Sequence, residues 1–257
     1  MAKPKKVLVL RTCSAEMKGY GGFVWPESGH VKAPDWKPAP ICGYGLHGLL
    51  WGVGNGDLLS WADNAKWLVV EVLAAGIVEI NGKVKFESGE VIYCGERGGA
   101  VDLLIARGAA KHGAVTAGTA TAGQRGTATA GQRGTATAGY AGTATAGDAG
   151  TATAGDAGTA TAGYDGTATA GYAGTATAGQ RGTATAGDAG TATAGFAGTA
   201  TAGDAGTATA GYAGTLVFRY WDPVASRSRM RVGYVGEDGI QPGVKYKLSE
   251  SNNIVPA

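Results

Sequence analysis

Twelve consecutive copies of one octapeptide, Thr-Ala-Thr-Ala-Gly-x-x-Gly, run from Thr119 to Gly214. Only the x-x pair varies, in the order QR, QR, YA, DA, DA, YD, YA, QR, DA, FA, DA and YA. Self-similarity at a fixed period means stacked units, none of which buries a face alone. Within a unit, Thr-Ala-Thr-Ala alternates with period two, which predicts a strand with threonines on one face and alanines on the other. Gly-x-x-Gly supplies the turn, with glycine expected to take the left-handed backbone angles of a tight corner.

Eight residues are too few to close a coil around an interior. Two units, one strand out and one back, predict a sixteen-residue coil and six coils in all. At about 4.8 Å between paired strands, the stack is roughly 29 Å long. A three-sided coil of twenty-four residues is the alternative, but alanine is too small to fill a triangular interior. Alanine inside lets two sheets approach closely, whereas inward threonines would bury two hydroxyls per unit, each costing about 1–3 kcal/mol if unpaired. The threonines are therefore expected outside, in ladders on both broad faces. The x-x residues fall at the narrow edges, where Tyr140, Tyr164, Tyr172, Phe196 and Tyr212 are candidate assembly aromatics. Alanine methyls bury little apolar surface, so the array is expected to need caps or association with its own copies.

The flanks supply the larger groups. Residues 1–115 are expected to form a small α+β capping domain, 116–214 the solenoid, and 215–257 a short β-rich cap. Lys6-Val-Leu-Val-Leu-Arg11 has the continuous apolar run of a buried strand. Short strand candidates follow at 66–72, 77–80, 83–86 and 90–94, with a hairpin turn at Asn81-Gly82, where both residues tolerate positive φ. Residues 99–110 carry helical spacing through Val101, Leu104 and Ile105. The last segment contains strand candidates at 215–221, 229–235 and 244–248. The fold class expected is mainly β: a two-sided parallel β-solenoid with a small α+β domain before it and a β cap after it.

Within the repeat, three arginines face five aspartates, and the chain's formal net charge is +2. That leaves no electrostatic footprint for nucleic acid. No run approaches the roughly 18–20 apolar residues that span a bilayer, so no membrane partner is expected. Val7 to Leu10 is too short for a signal-peptide core, which sets a cytoplasmic expectation, with a signal-independent route to the outside left open. Cys13, Cys42 and Cys94 suit reduced thiols.

Catalytic and cofactor motifs are thin. Gly43-Tyr-Gly-Leu-His-Gly48 satisfies the dinucleotide-binding string, but that chemistry needs a strand before it and a helix N-terminus after it. Pro38-Ala-Pro-Ile-Cys42 makes a poor strand, so a glycine-bearing loop is expected. Cys13, Cys42, Cys94, His30 and His47 show no common zinc spacing. Cys13 or Cys42 beside His47 would need an orienting partner to act as a nucleophile pair. Five carboxylates scattered over twelve turns do not make a calcium roll. No catalytic, cofactor or metal residue is assigned, and the chain is expected to be non-enzymatic.

The repeat resembles the central repeats of bacterial ice nucleation proteins, carried by Thr135-Ala-Thr137 with Ala138-Gly139-Tyr140 and each later unit. It departs from them in using one octapeptide throughout. The resemblance implies a β-solenoid, Thr-x-Thr ladders that order water, and a tendency to assemble. The candidate water- or ice-facing residues are Thr135, Thr137, Thr143, Thr145, Thr151, Thr153, Thr159, Thr161, Thr167, Thr169, Thr175 and Thr177. Leu10-Arg-Thr-Cys13, Phe23-Val-Trp-Pro26 and Cys42-Gly-Tyr-Gly-Leu-His-Gly48 resemble an uncharacterised bacterial and phage domain joined to repeat solenoids. The expected partner is the chain itself, in an oligomer or filament, with ice or ordered water as the second. A ligand-binding or enzymatic N-terminal domain on a solenoid stalk is the third reading.

Overall fold

In a computed structural model that describes residues 4–257, the chain divides into two compact units, Met1–Gly118 and Thr119–Ala257. The first is built on seven strands: β1 (Lys6–Cys13), β2 (Gly29–Lys32), β3 (Leu46–Leu50), β4 (Lys66–Leu73), β5 (Val78–Ile80), β6 (Lys83–Phe86) and β7 (Ser88–Gly95). They lie in the order β2-β7-β4-β1-β3-β6-β5, with antiparallel pairing throughout.

The apolar run of β1 is continuous because the sheet is covered on both faces. Val7 and Val9 pack with Trp25, Leu68, Val70 and Phe86. Leu8 and Leu10 point the other way, onto Trp67, Val69 and the helix residues Ala100, Val101 and Leu104. That helix, α1, covers Arg97–Ala106 and stops short of the expected residue 110, because Gly108 takes a left-handed φ of 90° and breaks it. The strand β2 lies within what the composition suggested was loop, since Gly29-His-Val-Lys32 buries only Val31.

The second unit carries one strand per octapeptide, β8 (Thr119–Ala122), β9 (Thr127–Ala130) and so on every eight residues to β19 (Thr207–Ala210). Even-numbered strands pair with each other in parallel to form one sheet and odd-numbered strands form the other. The register offset is sixteen residues, as in Thr135↔Thr151 and Thr143↔Thr159. The coil is therefore two-sided and sixteen residues long. The alanines of β9 onward are buried between the sheets, while the threonines face out.

The corners differ from expectation in one respect. The left-handed residue is the second x, with φ of 51–58° from Arg125 through Ala213, and not a glycine. The second glycine of each corner donates to the carbonyl of the first, as Gly174 does to Gly171 at 3.1 Å. A turn with positive φ at its third position has the form of type II, which ordinarily favours glycine there. The glycines serve closeness instead. A Cβ on Gly179 would lie 2.8 Å from the carbonyl carbon and oxygen of Gly163, one coil away, and a Cβ on Gly174 2.8 Å from that of Ala170. At the spacing of paired strands, the corners leave no room for a side chain at either place.

Residues 215–257 close the far end with larger side chains. Strand β20 (Thr215–Asp222) extends the even sheet, setting Leu216 beside Ala200 and Phe218 beside Ala202. Both are fully buried with the alanine core. Strand β21 (Arg227–Tyr234) then runs antiparallel to β20, ending the parallel progression. On the odd sheet, β22 (Tyr246–Leu248) pairs antiparallel with β19 through Ala208↔Tyr246, and β23 (Ile254–Pro256) follows it. Ile240 and Tyr246 complete this β cap over the thin interior.

Candidate functional site

The candidate threonines divide evenly between the two faces. Thr135, Thr137, Thr151, Thr153, Thr167 and Thr169 stand on the even sheet, in register through β10, β12 and β14. Thr143, Thr145, Thr159, Thr161, Thr175 and Thr177 stand on the odd sheet through β11, β13 and β15. In each of these strands the first threonine is exposed and the second half-buried. Each face is thus a grid of hydroxyl and methyl groups, about 6.7 Å apart along a strand and about 4.8 Å between strands. Further along the odd face the hydroxyls of Thr191 and Thr207 hydrogen-bond at 3.2 Å. Sixteen-residue register turns a one-dimensional motif into a two-dimensional array.

The corners form two columns. Tyr140 and Tyr172 follow even strands; Tyr164, Phe196 and Tyr212 follow odd ones. All five rings are substantially exposed, from 45% at Tyr164 to 70% at Tyr212. The amide of the left-handed residue donates across coils to a corner carbonyl, as Ala157 does to Tyr172 at 2.7 Å, so the ladder continues around the bend. Aspartate at the first x adds a further bond. Asp148, Asp156 and Asp188 each accept, at 2.9 Å, the amide sixteen residues on, from Tyr164, Tyr172 and Asp204 respectively. Arg181 Nε meets Asp165 at 2.9 Å across the same one-coil step. Asp188 also receives Arg219 Nη2 from β20 at 2.6 Å; that bond first, then the Asp204 amide, holds its carboxyl below the usual range. These aspartates carry the signal missed in the sequence: a carboxylate at the first x that reaches the corner amide sixteen residues on.

In the first unit, the string Gly43 to Gly48 runs into β3, not into a helix. The turn amides and helix N-terminus of a dinucleotide site are not formed there. The loop before β3 is pinned by Lys85, which is fully buried and donates to the carbonyls of Ile41 at 3.0 Å and Gly43 at 3.3 Å. Lys83 Nζ stands 3.2 Å from Cys42 Sγ, and its hydrogen bond lowers that thiol's pKa. Cys13 is buried in β1, and burial pushes its thiol up. Among the described residues no helix is long and apolar enough to cross a membrane.

Comparison with known proteins adds two findings. Residues 7–106 match the model of a domain of unknown function, DUF7666. The chain is also similar to ice nucleation proteins: 40% identical over 105 residues to ice nucleation protein InaU of Pantoea ananas, covering 40% of this chain and 10% of that protein. An ice nucleation protein of Pseudomonas syringae is 41% identical over 104 residues, 40% of this chain and 9% of that protein. One from Xanthomonas campestris pv. translucens is 38% identical over 104 residues, covering 40% and 7%. The chain spans a tenth or less of the length of these curated relatives. No solved structure matches it. The chain is a β-solenoid repeat protein, similar over 40% of its length to ice nucleation proteins.

Proposed function

We propose that this is an ice-binding or ice-nucleating solenoid that orders water on its threonine faces, with no enzymatic role for the repeat. The observation that carries the proposal is the unbroken in-register ladder of outward threonines on both sheets. Each threonine offers a methyl that excludes water beside a hydroxyl that anchors it, at spacings fixed by the sheet. The similarity to ice nucleation proteins supports the same reading. The test is ice-recrystallisation inhibition by the purified chain and by the Thr151→Lys, Thr167→Lys double variant. Both residues are exposed neighbours on the even sheet. Lost or sharply reduced inhibition with an unchanged circular dichroism spectrum is expected; unchanged inhibition rejects the reading.

A second reading rests on the exposed corner aromatics. Copies of the solenoid associate through Tyr164, Phe196 and Tyr212 on one edge and Tyr140 and Tyr172 on the other, forming oligomers or filaments. Negative-stain microscopy over a concentration series, with Tyr164→Ser, Phe196→Ser and Tyr212→Ser combined as control, separates the outcomes. Particles that lengthen or widen in the wild type alone support it, and a monodisperse monomer throughout removes it.

A further inference from the structure

Among the described residues of the first unit, Arg11 stands without a carboxylate counter-ion. Arg11, on β1, lays its guanidinium over Trp25, with Cζ 4.2 Å from the ring centroid. Its Nε donates to the carbonyl of Thr12 at 3.2 Å and Nη1 to that of His47 at 3.3 Å. A Cβ on Gly19 would fall 2.9 Å from both Arg11 Nη2 and Trp25 Nε1, so the glycine leaves room for the stack as it stands. Burial lowers the guanidinium's pKa, opposed by Cys13 and by no carboxylate. The Cys13 thiol is itself pushed up by burial, and so neutral at ordinary pH. A half-buried guanidinium with no carboxylate partner favours an anion that completes it.

The surroundings fit such an anion. Arg11 lines a cavity of about 570 Å³ together with Phe23, Trp25, Tyr44, His47 and Lys83, within the size range of small-molecule sites. His47 Nε2 is buried there with no hydrogen-bond partner. Burial first, then the cations Lys83, Arg11 and Lys85, depress His47 to about 4, with Asp35 alone opposing. Three cations thus stand around one imidazole against one carboxylate, and Asp35 already accepts the Gly45 amide at 3.0 Å. The imidazole is neutral near pH 7 and has a hydrogen bond to give or take.

We propose that this cavity binds a small aromatic anion, its charged head on Arg11, Lys83 and His47 Nε2 and its flat body against Phe23 and Tyr44. The site is independent of the threonine faces. Carboxylate, sulfonate and phosphate heads share the geometry that a guanidinium recognises.

The experiment titrates the full chain with 8-anilinonaphthalene-1-sulfonate, followed by fluorescence, beside the uncharged N-phenyl-1-naphthylamine. Single-site binding of the sulfonate is expected, roughly tenfold tighter than the amine, the size of one charge-assisted hydrogen bond. Lys83→Met removes a partly exposed cation and is expected to weaken sulfonate binding about tenfold at unchanged melting temperature. Arg11→Met is expected to lose it more completely. If Arg11→Met does not fold, Lys83→Met and the preference for sulfonate over amine carry the decision. Absence of saturable sulfonate binding, equal binding of sulfonate and amine, or binding unchanged in Lys83→Met would each overturn the proposal.

Discussion

Asp156 Oδ1 accepts the amide of Tyr172, sixteen residues later and one coil along, at 2.9 Å. The bond binds neighbouring coils at the corner, beside the bond from the Ala157 amide to the Tyr172 carbonyl that carries the ladder around the bend. Aspartate at the first x therefore cross-links coils as well as making a polar edge. Asp156→Ala is expected to destabilise the solenoid slightly, by about 0.5 kcal/mol, because the site is exposed. Asp156→Asn keeps an acceptor and should lose less. Chemical denaturation of the three proteins side by side measures the difference.

The second x is where the backbone is strained. Ala173 holds φ of 52°, a region that costs an L-residue roughly 1–2 kcal/mol. Ala173→Gly is expected to stabilise the array by about 0.5–1 kcal/mol, after the extra entropy that glycine loses on folding. A lower denaturation midpoint in this variant would show that the corner does not hold the left-handed form.

At the flanking glycines the same change in reverse should be severe. Gly179→Ala places a methyl 2.8 Å from the Gly163 carbonyl carbon and oxygen, against backbone that cannot rotate away. A loss of about 3 kcal/mol is expected, compared with a gain at Ala173 only six residues earlier. Thermal melts of the two variants test whether octapeptide positions carry opposite demands.

His47 predicts how the first unit responds to acid. Its folded pKa is about 4, below the ordinary 6.5, so between those values the unfolded chain holds the proton that the folded one refuses. Stability from this group is present above pH 6.5 and is lost as pH falls towards 4. His47→Gln removes the titration and should flatten that part of the profile. Denaturation midpoints measured between pH 7 and 4 check it; a variant falling as steeply as the wild type would place the acid sensitivity elsewhere.

The solenoid was legible because its period is short and its alphabet small. Alternation set alanine inward and threonine outward, and eight residues could not close a coil, so sixteen followed. What the alternation could not reveal was the division of labour within Gly-x-x-Gly. Sequence gives a corner's composition, but which residue takes positive φ depends on how closely the next coil passes, as Gly179 and Ala173 show. In the first unit, Leu8 and Val9 announced a buried strand through continuous hydrophobicity. Arg11, two residues on, gave no signal, because its importance comes from Trp25, His47 and Lys83, which are distant in the chain and converge only after folding. Phe218 and Tyr246 stood out as apolar bulk beyond the repeat, but their places over the two different sheets depend on strand pairing.

The proposal that threonine faces order water is met most directly by ice-affinity measurement. Fluorescently labelled chain is frozen slowly around a single ice crystal, and the protein taken into the ice is compared with that left in solution, for the wild type and for Thr151→Lys with Thr167→Lys. The threonine account predicts that the wild type enters the ice on defined crystal planes and that the variant, equally folded, is depleted from the planes its even face recognises. Exclusion of the wild type from the ice, or incorporation of both proteins on the same planes to the same extent, would contradict it.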